Sequence, residues 1–175
     1  MSINEKEYFG DFFQNDGTID FYLRIRTLIN ENSSILDYGA GRAKWYEDDE
    51  CKTRKSIRFL KDEVKILVAA DIDDGVLDNR ASHKQVLIKG SALNHFEKES
   101  FDLIICDYVM EHLDNVKDFK KNIDFLLKKG GVFCGRTPHK YALVSIFAQL
   151  IPNFLHNFVL KFTQPEKKEI DTFDT

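Results

Sequence analysis

The chain has 175 residues, 43% of them hydrophobic, which suits one domain with a real core rather than two. With 25 basic against 29 acidic residues the net charge is −4, so no broad basic surface advertises nucleic-acid binding. Cys51, Cys106 and Cys134 have neither disulfide nor zinc-ligand spacing, and no metal site is expected. The first residues lack the basic and apolar regions of a signal peptide, so the expected location is the reducing cytoplasm.

Residues 1–32 read as an N-terminal helical segment. From Thr18 to Asn30 the spacing places Phe21, Tyr22, Ile25, Leu28 and Ile29 on one helix face, with Thr18 as the N-cap. Residues 33–138 read as an α/β core and begin with Ile35-Leu36-Asp37-Tyr38-Gly39-Ala40-Gly41-Arg42. Here a strand runs into an acidic residue and a loop with two glycines one residue apart. Glycine lacks a Cβ and tolerates positive φ, so such a loop lets backbone approach a ligand closely. A helix starting after the loop would add free N–H groups for a polar or anionic ligand. A plain tight turn is the competing explanation of the glycines.

Between Lys44 and Asp62 lies a charged stretch with Glu47-Asp48-Asp49-Glu50 followed by Lys52, Arg54, Lys55 and Arg58. Mixed charge of this kind predicts a solvated insertion, and the sharper alternative is a lid with substrate contacts through Trp45 and Tyr46. Further apolar runs follow. Val64 to Ala70 ends at Asp71-Ile72-Asp73, and Val86 to Lys89 ends at Gly90-Ser91-Ala92. Phe101 to Cys106 ends at Asp107-Tyr108, and Gly131 to Gly135 ends at Arg136. Short β-rich runs separated by helix-length segments predict a doubly wound, mostly parallel sheet with helices on both faces. Ligands of such sheets sit beyond the carboxyl ends of the strands, where strand order reverses. Asp37, Asp71, Ser91 and Asp107 all fall at such ends. The crossover helix expected from Asn115 to Lys129 turns Val116, Phe119, Ile123, Leu126 and Leu127 inward, with Gly130 as its terminator.

These motifs, in this order, resemble the class I S-adenosylmethionine-dependent methyltransferases of the broad type-11-like group, over about Ser33 to Pro138. The resemblance implies a Rossmann-like fold and S-adenosylmethionine as cofactor, with S-adenosylhomocysteine as product. It implies that Asp37, Tyr38, Gly39, Ala40 and Gly41 wrap the amino acid part of the cofactor. Asp71 matches the acidic residue that takes the two ribose hydroxyls, which suits a carboxylate able to accept two hydrogen bonds. Ile72 adjoins it. Ser91 and Ala92 stand where the family usually has an acidic residue facing the adenine amino group, so that recognition would pass to backbone groups. Asp107-Tyr108 and Glu111-His112 resemble the fourth-strand signature, and Leu126 to Phe133 resembles the helix-end and fifth-strand motif. Two departures stand out: Ala43 replaces a frequent glycine, and 34 residues separate Asp37 from Asp71, where about 20 is common.

The implied reaction transfers a methyl group from the cofactor sulfonium to an acceptor of small-molecule or glycan type. A general base is required only where the acceptor must lose a proton. His112 is the candidate, since imidazole titrates near neutral pH; the plain alternative is a structural or capping histidine. His139 is a weaker candidate, and Tyr8, Phe9 and Tyr22 are placed to close over the cofactor. Rival readings are a non-catalytic cofactor-binding or scaffold protein and a nicotinamide-dependent oxidoreductase. The second wants a third Gly or Ala where Lys44 stands and leaves Asp37 and Glu111-His112 unexplained.

Residues 139–175 read as a C-terminal helical cap and polar tail. The apolar run through Phe162 approaches spanning length, but Gln149, Pro152, Asn153, His156 and Asn157 interrupt it, so no transmembrane helix is expected. Peripheral membrane contact is the rival use of that segment. The two further edge strands usual in the family are not legible, so the chain reads as a short form, a truncation or a fragment. The fifth strand would then be an open edge, covered by the C-terminal helices or by a homodimer partner.

Overall fold

A computed structural model describes residues 16–138 of the chain. The elements are α1 (Gly17–Arg26), β1 (Ser34–Tyr38), α2 (Lys44–Asp48), α3 (Lys52–Arg58), β2 (Ile66–Asp71), β3 (Lys84–Leu87), β4 (Phe101–Asp107), α4 (Val116–Leu126) and β5 (Leu127–Arg136). Short 3₁₀ turns occupy Lys61–Glu63, Asp74–Asp78, Ala92–Asn94 and Met110–His112. The strands form one sheet in the order β3-β2-β1-β4-β5, and every pairing is parallel. This is the Rossmann-like α/β architecture expected from the apolar runs.

Alternation along the strands sorts side chains onto two faces. On one face Ile35, Leu67, Leu103 and Ile105 pack with Tyr22 and Ile25 of α1 and with Leu60. On the other, Leu36, Val68, Ile104 and Cys106 pack with Ile123 and Leu126 of α4. Each fully buried aliphatic side chain contributes about 1.5–3 kcal/mol relative to exposure. The sheet is therefore held between two apolar layers, which leaves the carboxyl ends of its strands as the place for polar chemistry.

Several local expectations are corrected. The N-cap of α1 is Asp16, not Thr18: its carboxylate accepts from the Thr18 and Ile19 N–H groups at 2.9 and 3.0 Å. A carboxylate at this end also meets the positive end of the helix dipole. The helix stops at Arg26 rather than Asn30, and Leu28 beyond it is exposed. Val116, expected inward, is 65% exposed at the first position of α4. That helix ends at Leu126, and Leu127 is already paired with Phe101. While β4 advances from Phe101 to Leu103, β5 runs from Leu127 to Val132, so Lys128 to Gly131 bulge out, with Gly130 at φ 79°. Lys128 reaches Asp102 at 2.9 Å instead of serving the helix end. The helical cap, the sought edge strands, Tyr8, Phe9 and His139 lie outside the described residues.

The charged stretch after the glycine loop is not a solvated insertion. Cys51 and Leu60 are each 2% exposed, and α3 packs on α1. Two arginines fasten it. Arg54 grips Asp49 at 2.7 and 2.6 Å and the α1 cap Asp16 at 2.9 Å. Arg26 of α1 donates to the carbonyls of Ser56, Ile57 and Phe59 and pairs with Glu63. Burial pushes the Asp16 and Asp49 carboxyls up, but backbone N–H groups and Arg54 outweigh it and hold both below the ordinary range. Among the described residues no helix is long and apolar enough to cross a membrane.

Arg54→Ala should lower stability by about 1–2 kcal/mol, because two half-buried carboxylates lose their partner. Arg24→Ala, which breaks an exposed pair with Asp20, should change it by about 0.5 kcal/mol or less. Thermal unfolding at pH 7 checks both. Carboxylates with depressed pKa values stabilise the fold above their unfolded pKa and lose that contribution as they protonate. The Arg54→Ala defect should therefore shrink as pH falls below about 4.

Candidate functional site

The strand order reverses beside β1: β2 and β3 lie on one side of it, β4 and β5 on the other. There β2 and β4 end in Asp71 and Asp107, and Asp37 is the next-to-last residue of β1. The register sets Asp37 beside Ala69 and Ile105, so Asp37, Asp71 and Asp107 share the face that α1 covers. Their surroundings give each a different task.

Asp71 organises the glycine loop. Its Oδ2 accepts from the Gly41 N–H at 2.8 Å and its Oδ1 from the Asp73 N–H at 3.0 Å. A carboxylate has about four acceptor positions, so two stay available to a ligand. The loop is further held by Gly39 and Ala40 N–H groups on the Ala70 carbonyl, at 2.7 and 3.3 Å. Asn79, 3% exposed, donates to the Gly41 carbonyl at 2.9 Å. Gly39 sits at φ 78°, and a Cβ there would lie 2.4 Å from Val109 Cγ2, so the position excludes side chains on two grounds. Ala43 carries a left-handed φ of 56° where the motif often has glycine. The helix that follows is only the five-residue α2.

Asp107 is spoken for. Arg136 holds it in a two-pronged pair at 2.6 and 2.8 Å, Tyr22 donates at 3.2 Å, and Arg58 Nη2 lies 3.3 Å away. Its side chain is 5% exposed, so it orders the strand ends rather than facing a ligand. Tyr22 is 3% exposed within this cluster, which corrects the expectation that it closes over a bound molecule. Burial pushes its hydroxyl pKa upward, well away from neutrality.

Asp37 differs from both. Its carboxyl accepts no hydrogen bond from the described residues. Burial pushes it up to about 7; Arg58 pulls against that shift, while Asp107 and Asp71 add to it. A cavity of ≈ 20 Å³, lined by Asp37, Tyr22, Trp45, Arg58 and Asn79 among others, adjoins it. That is room for about one water. Trp45 lies with its ring 4.6 Å from the Arg58 guanidinium carbon, and Tyr46 stacks on Phe59 at 5.3 Å.

The remaining expected residues ring this centre. Tyr38 turns to the opposite face and meets Phe119 edge-on at 5.7 Å, so it offers the loop only backbone. Ile72 is 79% exposed directly after Asp71. Ser91 caps the Ala92–Asn94 turn through the Leu93 N–H at 3.3 Å, and Ala92 beneath it is buried. Tyr108, at φ 59°, lies exposed under the Arg136 guanidinium. His112 is exposed on its 3₁₀ turn, and the neighbouring Glu111 accepts from Thr137 at 2.9 Å. No cluster of metal-ligating side chains occurs among the described residues. Asn79, Arg58 and Arg136 were not legible as site residues: one reads as a turn residue, one as part of a charge run, and one as a strand end.

A sequence profile of the family described as methyltransferase domain matches residues 51–135. That stretch, just under half of the chain, is similar to a methyltransferase domain. The match takes in β2 to β5, with β1 and the glycine loop upstream of it. No curated protein matches the sequence. Among solved structures, YcgJ from Bacillus subtilis is 19% identical with a TM-score of 0.50, over 67% of this chain and 48% of that one. A putative methyltransferase from Bacillus halodurans C-125 is 21% identical with a TM-score of 0.51, over 67% and 49%. A SAM-dependent methyltransferase from Aquifex aeolicus is 11% identical with a TM-score of 0.52, over 94% and 88%. The chain thus shares its fold with these structures, and it spans about half the length of the first two.

Asp37 holds its proton more tightly in the folded chain than in the unfolded one. Unfolding between about pH 4 and 7 therefore releases that proton, and the stabilisation present below pH 4 is lost as pH rises through 7. Asp37→Asn stays neutral throughout. It should raise stability by about 2 kcal/mol at pH 8 and change it little at pH 4, as thermal unfolding at the two pH values will show.

Proposed function

We propose that this chain binds S-adenosylmethionine at the carboxyl ends of β1 and β2 and transfers its methyl group to an acceptor of small-molecule or glycan type. The observation that carries the reading is the joint between the glycine loop and Asp71, whose carboxylate holds the Gly41 N–H and keeps acceptor positions for a diol. The methyltransferase-domain match and the shared fold support it. In this reading Gly39, Ala40 and Gly41 let the backbone close on the amino acid end, and Asp71 accepts from the ribose hydroxyls. Exposed Ile72 gives the adenine an apolar face, while Ser91 and Ala92 leave backbone groups to meet its edge.

Bound S-adenosylmethionine supplies an activated methyl group on a sulfonium, so the protein's own work is to orient the acceptor and exclude water. Tyr108, Glu111 and His112 stand on the β4 side of the site, where an acceptor would lie in line. His112 is the candidate base for acceptors that must lose a proton. The charge of −4 favours a small or glycan acceptor over nucleic acid. The expected setting is the cytoplasm.

Titration calorimetry with S-adenosylmethionine and S-adenosylhomocysteine tests the cofactor assignment. Saturable binding is expected, weakened about 10–100-fold in Asp71→Ala and less in Asp71→Asn, which keeps one carbonyl acceptor. Absence of binding by a folded chain would contradict it. For the base, His112→Asn should lower kcat about 100-fold or more on a proton-bearing acceptor with S-adenosylhomocysteine affinity unchanged. An unchanged kcat removes His112 from the chemistry.

A further inference from the structure

The corner where α1 meets the carboxyl ends of β4 and β5 carries an aromatic ring on a fixed, charged support. Arg136 Nε and Nη2 donate to the Asp107 carboxylate at 2.6 and 2.8 Å, and Nη1 donates to Thr18 Oγ1 at 3.1 Å. Such bonds engage the edge of a guanidinium and leave its faces for aromatic rings. Phe21 of α1 and Tyr108 supply them, with ring centres 5.1 and 4.6 Å from the guanidinium carbon. The arginine side chain is 15% exposed, whereas Tyr108 is 49% exposed. Tyr108 therefore covers the arginine and still offers about half of its surface to solvent.

Tyr108 is also held there under strain. Its φ of 59° lies in the left-handed region, which a non-glycine residue keeps only where its surroundings impose it. Here they do. The Tyr108 N–H donates to the Arg136 carbonyl at 2.8 Å, and the next two residues pack against neighbouring strands. A Cβ on Gly39 would overlap Val109, and one on Gly135 would lie 2.8 Å from Met110 Cε. Val109 thus joins the Tyr108 turn directly to the glycine loop of the proposed cofactor site.

We propose that Tyr108 is a specificity-determining residue: its open ring is the platform on which the methyl acceptor lies, and it selects an acceptor with a planar, electron-rich ring such as a phenol. The inference rests on the cofactor reading above and narrows its acceptor class. A free aromatic face is negative and attracts cations and polarised C–H groups. The Arg136 guanidinium already draws on that electron density, which leaves the open face of Tyr108 poorer in it. Such a face stacks best on a ring that donates electron density. It stacks less well on an electron-poor ring and holds the C–H face of a sugar weakly.

The test is an amide chemical-shift titration of the isotope-labelled chain in saturating S-adenosylhomocysteine, at about pH 6, where phenols are neutral. Dissociation constants are measured for 4-methoxyphenol, 4-cyanophenol and methyl β-glucopyranoside. The two phenols are alike in shape and differ in ring electron density, and the glycoside offers a saturated ring. Saturating shifts are expected at Val109 and Arg136. 4-Methoxyphenol should bind about threefold tighter than 4-cyanophenol and about tenfold tighter than the glycoside. Tyr108→Phe keeps the ring and should keep that order. Tyr108→Gly suits the left-handed backbone, so it should fold, as thermal unfolding will show, and should lose the order. Equal binding of the two phenols, a glycoside that binds as tightly as 4-methoxyphenol, or an order that survives in Tyr108→Gly overturns the proposal. The first two outcomes are read on the wild type and need no variant. A wild-type chain that binds S-adenosylhomocysteine but none of the probes defeats this proposal alone, whereas one that does not bind S-adenosylhomocysteine defeats the cofactor reading with it.

Discussion

Three carboxylates brought to one edge and one face of a parallel sheet repel one another, and the structure divides the compensation among three kinds of partner. Asp71 is met by backbone N–H groups of the loop it organises. Asp107 is met by Arg136, Tyr22 and Arg58 and is closed to further work. Asp37 has only a nearby cation and stays difficult to ionise. Desolvation sets the difference, since a buried carboxylate stays charged at neutral pH only where donors or cations meet it.

The rest of the chain serves that arrangement. Apolar layers pack on either side of β1, and the loop that follows it is hydrogen-bonded to Ala70, Asp71 and Asn79. Where a regular helix would follow the glycine loop, two short helices carry a tryptophan and an arginine back under it. The departure in spacing between Asp37 and Asp71 is thus spent on the floor of the site. The fastening is ionic and half-buried, which explains why a stretch so rich in charge packs at all.

The sheet was legible because parallel strands buried on both faces read as apolar runs, and each run ended near a polar residue that marked its carboxyl end. Asp37, Gly41 and Asp71 were legible for the same reason, being tied to strand ends by short spacing. Boundaries set by competition between caps were not: Asp16 outdid Thr18, and pairing of Leu127 with β4 ended α4 before its lysines. The 44–62 segment misled because a charge count cannot distinguish arginines facing water from arginines bound to carboxylates distant in sequence. Arg54 meets Asp16 and Arg58 meets Asp107, contacts that only the folded chain creates. Asn79 was hidden likewise, since nothing local to it announces that its amide holds the Gly41 carbonyl.

The central claim is that the rim of β1 and β2 is a cofactor site built on the Gly41–Asp71 joint. Amide chemical-shift mapping of the isotope-labelled chain during titration with S-adenosylhomocysteine tests it most directly. The account predicts saturating shifts concentrated at Gly39, Ala40, Gly41, Ile72, Asp73 and the Ser91–Leu93 turn, with α4 undisturbed. Shifts centred elsewhere, or none at saturating ligand with a folded chain, would contradict it.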